Sequence, residues 1–352
     1  MSDVQDRVDF GRTVHRWQAR GVWLRIDMRS VVIGVVLLVA CVVIGVLGLV
    51  FGEYPLSLSQ VGHALFSGVD DFTRTVVVEW RMPRVLASIV FGAALGASGA
   101  IFQSLTRNPL ASPDIVGFSA GAYTGALIVI IVLGGTYLEV AAGAFAGGLA
   151  TALLVYVLAF SRGVQGFRLI IVGIAVSAML GSVNTWLMLT ADLDQALIAA
   201  VWGAGSLNGI TWAQAGVGSA LVIVLLALAL VLSRPLRQLE LGDDAAQALG
   251  VHVEAARLAL MLVSVALIAV VTAAAGPIAF VALAAPQIAR RVTRVAGVSI
   301  GASALMGAAL LAASDFVALH ALPAMLPVGI VTVVIGGVYL IWLLIHEARR
   351  RL

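Results

Sequence analysis

Arg234-Pro-Leu-Arg-Gln-Leu-Glu-Leu-Gly-Asp-Asp-Ala-Ala-Gln-Ala-Leu-Gly-Val-His-Val-Glu-Ala-Ala-Arg257 is the longest polar stretch lying between two apolar runs that could each cross a bilayer. It carries local structure of its own. Gly242 can end one helical turn, and the Asp243 side chain can cap the next. Asp244 favours a helix start and Gly250 supplies the stop. The pattern predicts a short helix over residues 244–249, bracketed by glycines. Such a helix is too short to hold itself in water, so packing must support it. Two readings follow: a preformed docking element on the face of a membrane protein, or a solvated loop that contains alanines.

The residues on either side set the class. Of 352 residues, 61% are hydrophobic and 11% charged, and the mean hydropathy is +1.08. A soluble domain carries about twice that charge fraction. The apolar runs are far too long for barrel strands, so the chain reads as an all-α, polytopic membrane protein. Every one of the 21 basic residues is arginine. Without lysine there is no phosphate-binding P-loop and no Schiff base. Cys41 is the only cysteine, which excludes an intramolecular disulfide and a cysteine-based metal site.

Residues 1–30 form a polar leader with six arginines, too long and too acidic for a signal-peptide head. The run 31–51 is read as a retained first span. Further spans are expected at 85–106, 115–136, 138–160, 168–190, 212–232, 258–275, 277–295, 300–313 and 327–345, about ten in all, with 300–313 short for a crossing. The membrane body is thus 31–345, followed by a tail at 346–352. With the N-terminus inside, eighteen of the 21 arginines fall on the cytoplasmic side, leaving only Arg74, Arg81 and Arg84 outside. That asymmetry supports cytoplasmic termini and places 234–257 in the cytoplasm.

Several motifs lie along these spans. Residues 52–80 form an outer loop with a surface helix near 58–66, and 314–326 a last outer loop. In Arg81-Met-Pro-Arg84, two arginines flank a proline at the outer mouth of the second span. They read either as headgroup anchors or as a rigid cationic pair awaiting an acidic partner. Gly92, Gly96 and Gly99 permit close helix approach. Residues 107–117 make an ordered turn rich in proline, Asn and Asp. Gly276-Pro277 makes an outer turn, and Pro286 kinks the following span. Polar residues on the glycine-rich spans, Ser98, Gln103, Asn108, Ser119, Asn184 and Gln287, either line a pathway or satisfy a neighbouring helix. No Asp, Glu or Arg falls within the expected span cores, which argues against ion coupling.

Taken in order, the motifs carry a resemblance. Arg81-Met-Pro-Arg84, Gly99-x-x-x-Gln103, Arg107-Asn-Pro-Leu-Ala111-x-Pro113-Asp-Ile115-x-Gly117 and Ser119-x-Gly121-Ala122 are followed by Trp202-x-x-Gly205-Ser-Leu207 and Leu241-Gly242-x-x-Ala245-x-x-x-Leu249-Gly250. Gly276-x-Ile278-x-Phe280-Val281 and Pro327-Val-Gly329 complete the set. From about 75 to 345 the chain resembles the permease subunits of bacterial ABC importers for iron–siderophores, haem and cobalamin. The resemblance implies ten helices per subunit and a dimer, homodimeric or heterodimeric, with the pathway at its two-fold axis. It also implies two cytoplasmic ATPase subunits that bind ATP and magnesium, and an extracytoplasmic substrate-binding protein. No cofactor, metal or nucleic acid is expected on this chain, and it performs no catalysis. On this resemblance Leu241, Gly242, Asp243, Asp244, Ala245, Leu249 and Gly250 match the coupling segment that sits on the ATPase. Arg81 and Arg84 match arginines that meet acidic residues of the binding protein.

The chain departs from the family pattern at three places. Gln287 follows Pro286 where the family often has histidine. Leu319 occupies the place of an arginine, and Met325 that of a glutamate. The leading expectation is a permease driven by partner ATPases and moving an iron–siderophore-like chelate. Haem or cobalamin are alternative cargoes. A self-sufficient secondary transporter or channel is the rival from another class, and it would need buried charges or a filter-like repeat. A membrane enzyme would need clustered His, Asp and Glu at membrane depth.

Overall fold

The computed structural model describes residues 14–19, 22–66, 72–114, 117–159, 166–295, 297–320 and 326–351. Residues 1–13, 160–165 and 321–325, Met325 among them, lie outside the described residues. The membrane body is all-α. Before it stands one two-stranded antiparallel hairpin, β1 (Val14–Ala19) and β2 (Val22–Asp27), with Val14 opposite Asp27. The signal was the period-two alternation of Val22, Leu24 and Ile26 against Trp23 and Arg25, hidden by the leader's charge.

The helices follow in order. α1 is Met28–Val50, α2 Leu58–Phe66 and α3 Phe72–Arg74, the last running through a π-helical turn Thr75–Arg81 into α4, Met82–Thr106. α5 is Phe118–Leu127, continued by a π turn Ile128–Leu133; α6 is Tyr137–Ala159 and α7 Gly166–Thr190. α8 is Leu193–Gly203, α9 Trp212–Val231, α10 Ser233–Glu240 and α11 Asp243–Ala248. α12 is Val253–Ala275, α13 Val281–Thr293, α14 Ile300–His320 and α15 Val328–Arg351. Among the described residues seven helical stretches are long and apolar enough to cross a membrane. The three remaining expected crossings fall on α5 with its π turn (Phe118–Leu133), on α13 with 13 residues, and on α15, whose apolar part is Val328–Trp342.

Three boundaries differ from the expectation. The outer loop does not run to residue 80. Helix is continuous from Phe72 to Thr106, with Arg81 and Arg84 inside it. Pro83 lacks the N–H that would bond Glu79, and its ring crowds that carbonyl. The turn before it widens instead, and the Met82 N–H reaches back to Val77 O. The weak span 300–313 is a full helix of 21 residues, which takes in the first seven residues of the expected loop 314–326 and runs to His320. Asp315 lies inside this helix, its charge compensated by Arg84. Residues 191–211, which hold the Trp202 motif, form α8 and a turn.

α4 is the axis of the bundle, packed against α9, α12, α13 and α14. It meets α14 backbone to backbone. A Cβ on Gly92 or Gly307 would collide with the carbonyl of the other, and one on Gly96 with Ser303 O. α1 lies at the periphery and exposes Val32, Val35, Val36, Leu38 and Val39, as suits a helix facing lipid.

Candidate functional site: the coupling segment and the outer rim

The opening stretch folds as two helices, not one. α10 has a proline in its first turn, where no N–H is needed. Leu236 and Leu239 point into the bundle while Arg234 and Arg237 stay in solvent. Gly242 and Gly250 bracket α11 with φ of +118° and +84°. No atom stands within 4 Å of where their Cβ would be, so backbone conformation alone demands glycine at both.

The role expected for Asp243 needs correction. Gly242 holds the N-cap position, and Asp243 is the first helical residue with no capping hydrogen bond. Its carboxylate instead accepts from Arg257 Nη2 at 3.0 and 2.9 Å and from Arg107 Nη2 at 3.2 Å. Arg107 ends α4 in the left-handed conformation, φ +50°, and also donates to Leu239 O at 3.1 Å. Glu240 completes the anchorage. Its Oε1 accepts from Ser104 Oγ on α4 at 2.6 Å and from Val298 N, ahead of α14, at 3.4 Å.

On α11 only Ala246 is fully buried. Leu241 and Leu249 are 68% and 57% exposed, with Asp244 and Gln247 beside them in solvent and Ala245 half-buried. Burying two leucine side chains is worth roughly 3–6 kcal/mol, and nothing within the chain collects it.

At the other end of the bundle both arginines are engaged. Arg81 Nη1 donates to Leu49 O at 2.7 Å and Val50 O at 3.3 Å, and its Nη2 to Tyr54 O at 2.6 Å. It ties the end of α1 to the chain that follows. Arg84 faces Asp315 of α14, Nε to Oδ2 at 2.9 Å and Nη2 to Oδ1 at 2.8 Å. An open cavity of about 880 Å³ lies against this pair, lined also by Arg81, Trp80, Phe316 and His320. Leu319 lines it too, in the position where the family pattern led one to look for arginine.

The six polar residues read as pathway candidates fall into separate places. Ser98 and Ser264 exchange bonds within the bundle, Oγ to Oγ at 2.9 Å. Gln103 and Gln287 meet: Gln287 Nε2 donates to Gln103 Oε1 and to Pro109 O, each at 2.8 Å, while Gln103 Nε2 donates to Leu283 O at 3.0 Å. Asn184 accepts from Thr124 Oγ1 at 2.6 Å. Asn108 Oδ1 accepts from Leu110 N at 2.9 Å, closing the turn after α4. Ser119 donates to Asp114 Oδ1 at 2.7 Å and Ser112 to Oδ2 at 3.2 Å. Burial pushes the Asp114 carboxyl up, and these two hydroxyls oppose the shift. Within the subunit every one of the six finds a partner.

Three distant motifs converge on one junction, which the sequence reading did not foresee. Ser206 N donates to Ala275 O at 2.8 Å, and Gly329 N to Gly205 O at 3.0 Å. Cβ atoms at Gly205, Gly276 or Gly329 would strike the backbone of Pro277, Trp202 or Ala204. Trp202 stacks on Tyr123 with ring centroids 6.2 Å apart. The motifs 202–207, 276–281 and 327–329 thus join α8, α12, α13 and α15.

Fold and surface together define the class: a polytopic helical membrane protein with an anchored segment that exposes leucines at one end and a braced rim at the other. The FecCD transport family model matches residues 32–346, and the chain belongs to that family. It is 50% identical over 327 residues to the ferric enterobactin transport system permease protein FepG of Escherichia coli (strain K12), covering 93% of this chain and 99% of that protein. To the hemin transport system permease protein HmuU of Yersinia pestis it is 37% identical over 281 residues, 77% of this chain and 83% of the other. A solved metal-chelate type ABC transporter in an inward-facing conformation superposes with a TM-score of 0.80 at 26% identity, covering 90% of this chain and 99% of that one. The chain is accordingly a membrane-spanning permease subunit of the ABC importer type.

Proposed function

We propose that the chain carries an iron(III)–siderophore-like chelate across the cytoplasmic membrane, driven by separate ATPase subunits. One observation carries the mechanical part: Leu241 and Leu249 stand exposed on a segment that Glu240 and Asp243 anchor to its own subunit. The cargo class rests on the similarity to the ferric enterobactin permease. Residues 234–257 and both termini then face the cytoplasm, in keeping with the arginine distribution. ATP and magnesium belong to the ATPase partners, and the chain itself turns over nothing. A second permease subunit, a copy or a homologue, completes the pathway.

A substrate-binding protein docks on the outer rim. Arg84 is compensated there by Asp315. Arg81 spends its donors on carbonyls, which leaves its charge without a carboxylate among the described residues. Electrostatic attraction for an acidic partner therefore falls chiefly to Arg81.

The test is reconstitution in vesicles with the ATPase and binding protein. Uptake of an iron-59-labelled siderophore should require ATP, and the isolated chain should show no ATP turnover. Uptake driven by an ion gradient without ATP would make the chain a secondary transporter.

A further inference from the structure

We infer that Asp243 is the positioning residue through which movement of α11 reaches the membrane helices. The inference rests on the reading of 234–257 as the coupling segment. α11 has six residues, and both of its ends are positive-φ glycines. A helix attached only through such joints would swivel when its exposed face is pulled. A lateral tie is needed for motion to pass inward. Among the described residues Asp243 supplies the ionic one. One nitrogen of Arg257 lies 2.9 and 3.0 Å from its two carboxylate oxygens, and Arg107 Nη2 lies at 3.2 Å.

The two arginines lead to different helices. Arg257 sits on the second turn of α12, its side chain only 12% exposed, and is steadied by Glu254 Oε1 at 3.3 Å. Arg107 is the left-handed end of α4. α4 in turn meets α14 through the glycine contacts at Gly92 and Gly96. Beside the packing of Ala246, a displacement of α11 therefore has an ionic route to both α4 and α12 through one carboxylate. A shared carboxylate between two guanidinium groups is stronger than either exposed pair alone, because the members hold one another in place. Asp243 is also 46% exposed on its side chain, so it could serve the ATPase contact instead. The experiment separates the two roles.

The complete transporter is prepared in vesicles with wild-type chain, Asp243→Asn, Asp243→Glu and Arg257→Gln. Three quantities are read: ATPase retained on the permease, ATP hydrolysed, and chelate moved per ATP. Loss of a link between sites should show as a coupling change of about fivefold or more. Asp243→Asn should still retain the ATPase on the permease, yet move at least about fivefold less chelate per ATP hydrolysed. Arg257→Gln should do the same, and Asp243→Glu should recover most of the ratio. Hydrogen exchange over residues 243–253 should quicken in Asp243→Asn, with α4 and α12 unchanged. Wild-type chelate per ATP in Asp243→Asn overturns the inference. So does loss of ATPase retention, which would make Asp243 a docking contact. Failure of the wild-type chain itself to retain an ATPase would instead remove the coupling reading beneath it.

Discussion

Arg84 and Asp315 form an ion pair of three hydrogen bonds between α4 and α14, 231 residues apart in sequence, with side chains only 13% and 7% exposed. The pair sits at the outer end of the glycine-packed contact between these helices. It explains how a carboxylate can occupy a helix that the sequence suggested had already ended. It also shows that Arg84 braces its own subunit.

Breaking one partner leaves a buried charge alone. Arg84→Gln or Asp315→Asn should each destabilise the folded subunit by about 3 kcal/mol, read as thermal unfolding in detergent by tryptophan fluorescence. The exchange Arg84→Asp with Asp315→Arg should recover part of the loss. Single variants with wild-type melting would show that the pair contributes nothing.

Most of the helices were legible because apolar runs of about twenty residues have few other uses. Gly242 and Gly250 were legible because the stop signals were local, and α2 fell where its amphipathic pattern put it. Long-range pairing was not legible. Asp243 beside Asp244 looked like a cap, since nothing in the local sequence points to Arg107 or Arg257. Gln103 and Gln287 stayed open between lining a pathway and satisfying a neighbouring helix, because a polar side chain in an apolar run gives no sign of whether it faces a channel or a neighbouring carbonyl. Asp315 was legible only as a charge, and a charge alone reads as solvent.

Arg81 tests the rim differently. Lysine keeps the charge but loses the fork that reaches Leu49, Val50 and Tyr54 at once. Arg81→Lys should therefore loosen residues 50–56, seen as faster proteolysis or hydrogen exchange, while binding-protein affinity stays within about threefold. Arg81→Glu should lose affinity as well, more strongly at low salt, because exposed charges are screened. Equal affinity of Arg81→Glu and wild type at low salt would take Arg81 out of the docking surface.

The α4–α14 contact predicts a contrast among glycines. Gly96→Val places side-chain atoms against Ser303 O, and Gly307→Val against Gly92 O. Overpacking at such a site costs about 1–3 kcal/mol or more, so both should lower the yield of folded protein. Gly216→Ala and Gly301→Ala, which meet no atom within 4 Å, should be tolerated. Equal yields across the four would mean that these helices do not approach as closely as described.

The coupling surface gives the final prediction. Leu249 is exposed and braces nothing in the subunit, so Leu249→Arg should fold and insert normally. In the complex it would bury an unpaired charge against the ATPase, a cost of several kcal/mol. ATPase pull-down should fall by at least about a hundredfold, since each 1.4 kcal/mol is a factor of ten. Gly250→Val acts by another route. A β-branched residue at φ +84° is strained by about 1–3 kcal/mol, which should reshape the turn that aims α11 and lower uptake without adding charge. A solvated loop would tolerate both changes. Pull-down and vesicle uptake measured side by side decide between them, and wild-type values for Leu249→Arg would leave α11 with no part in coupling.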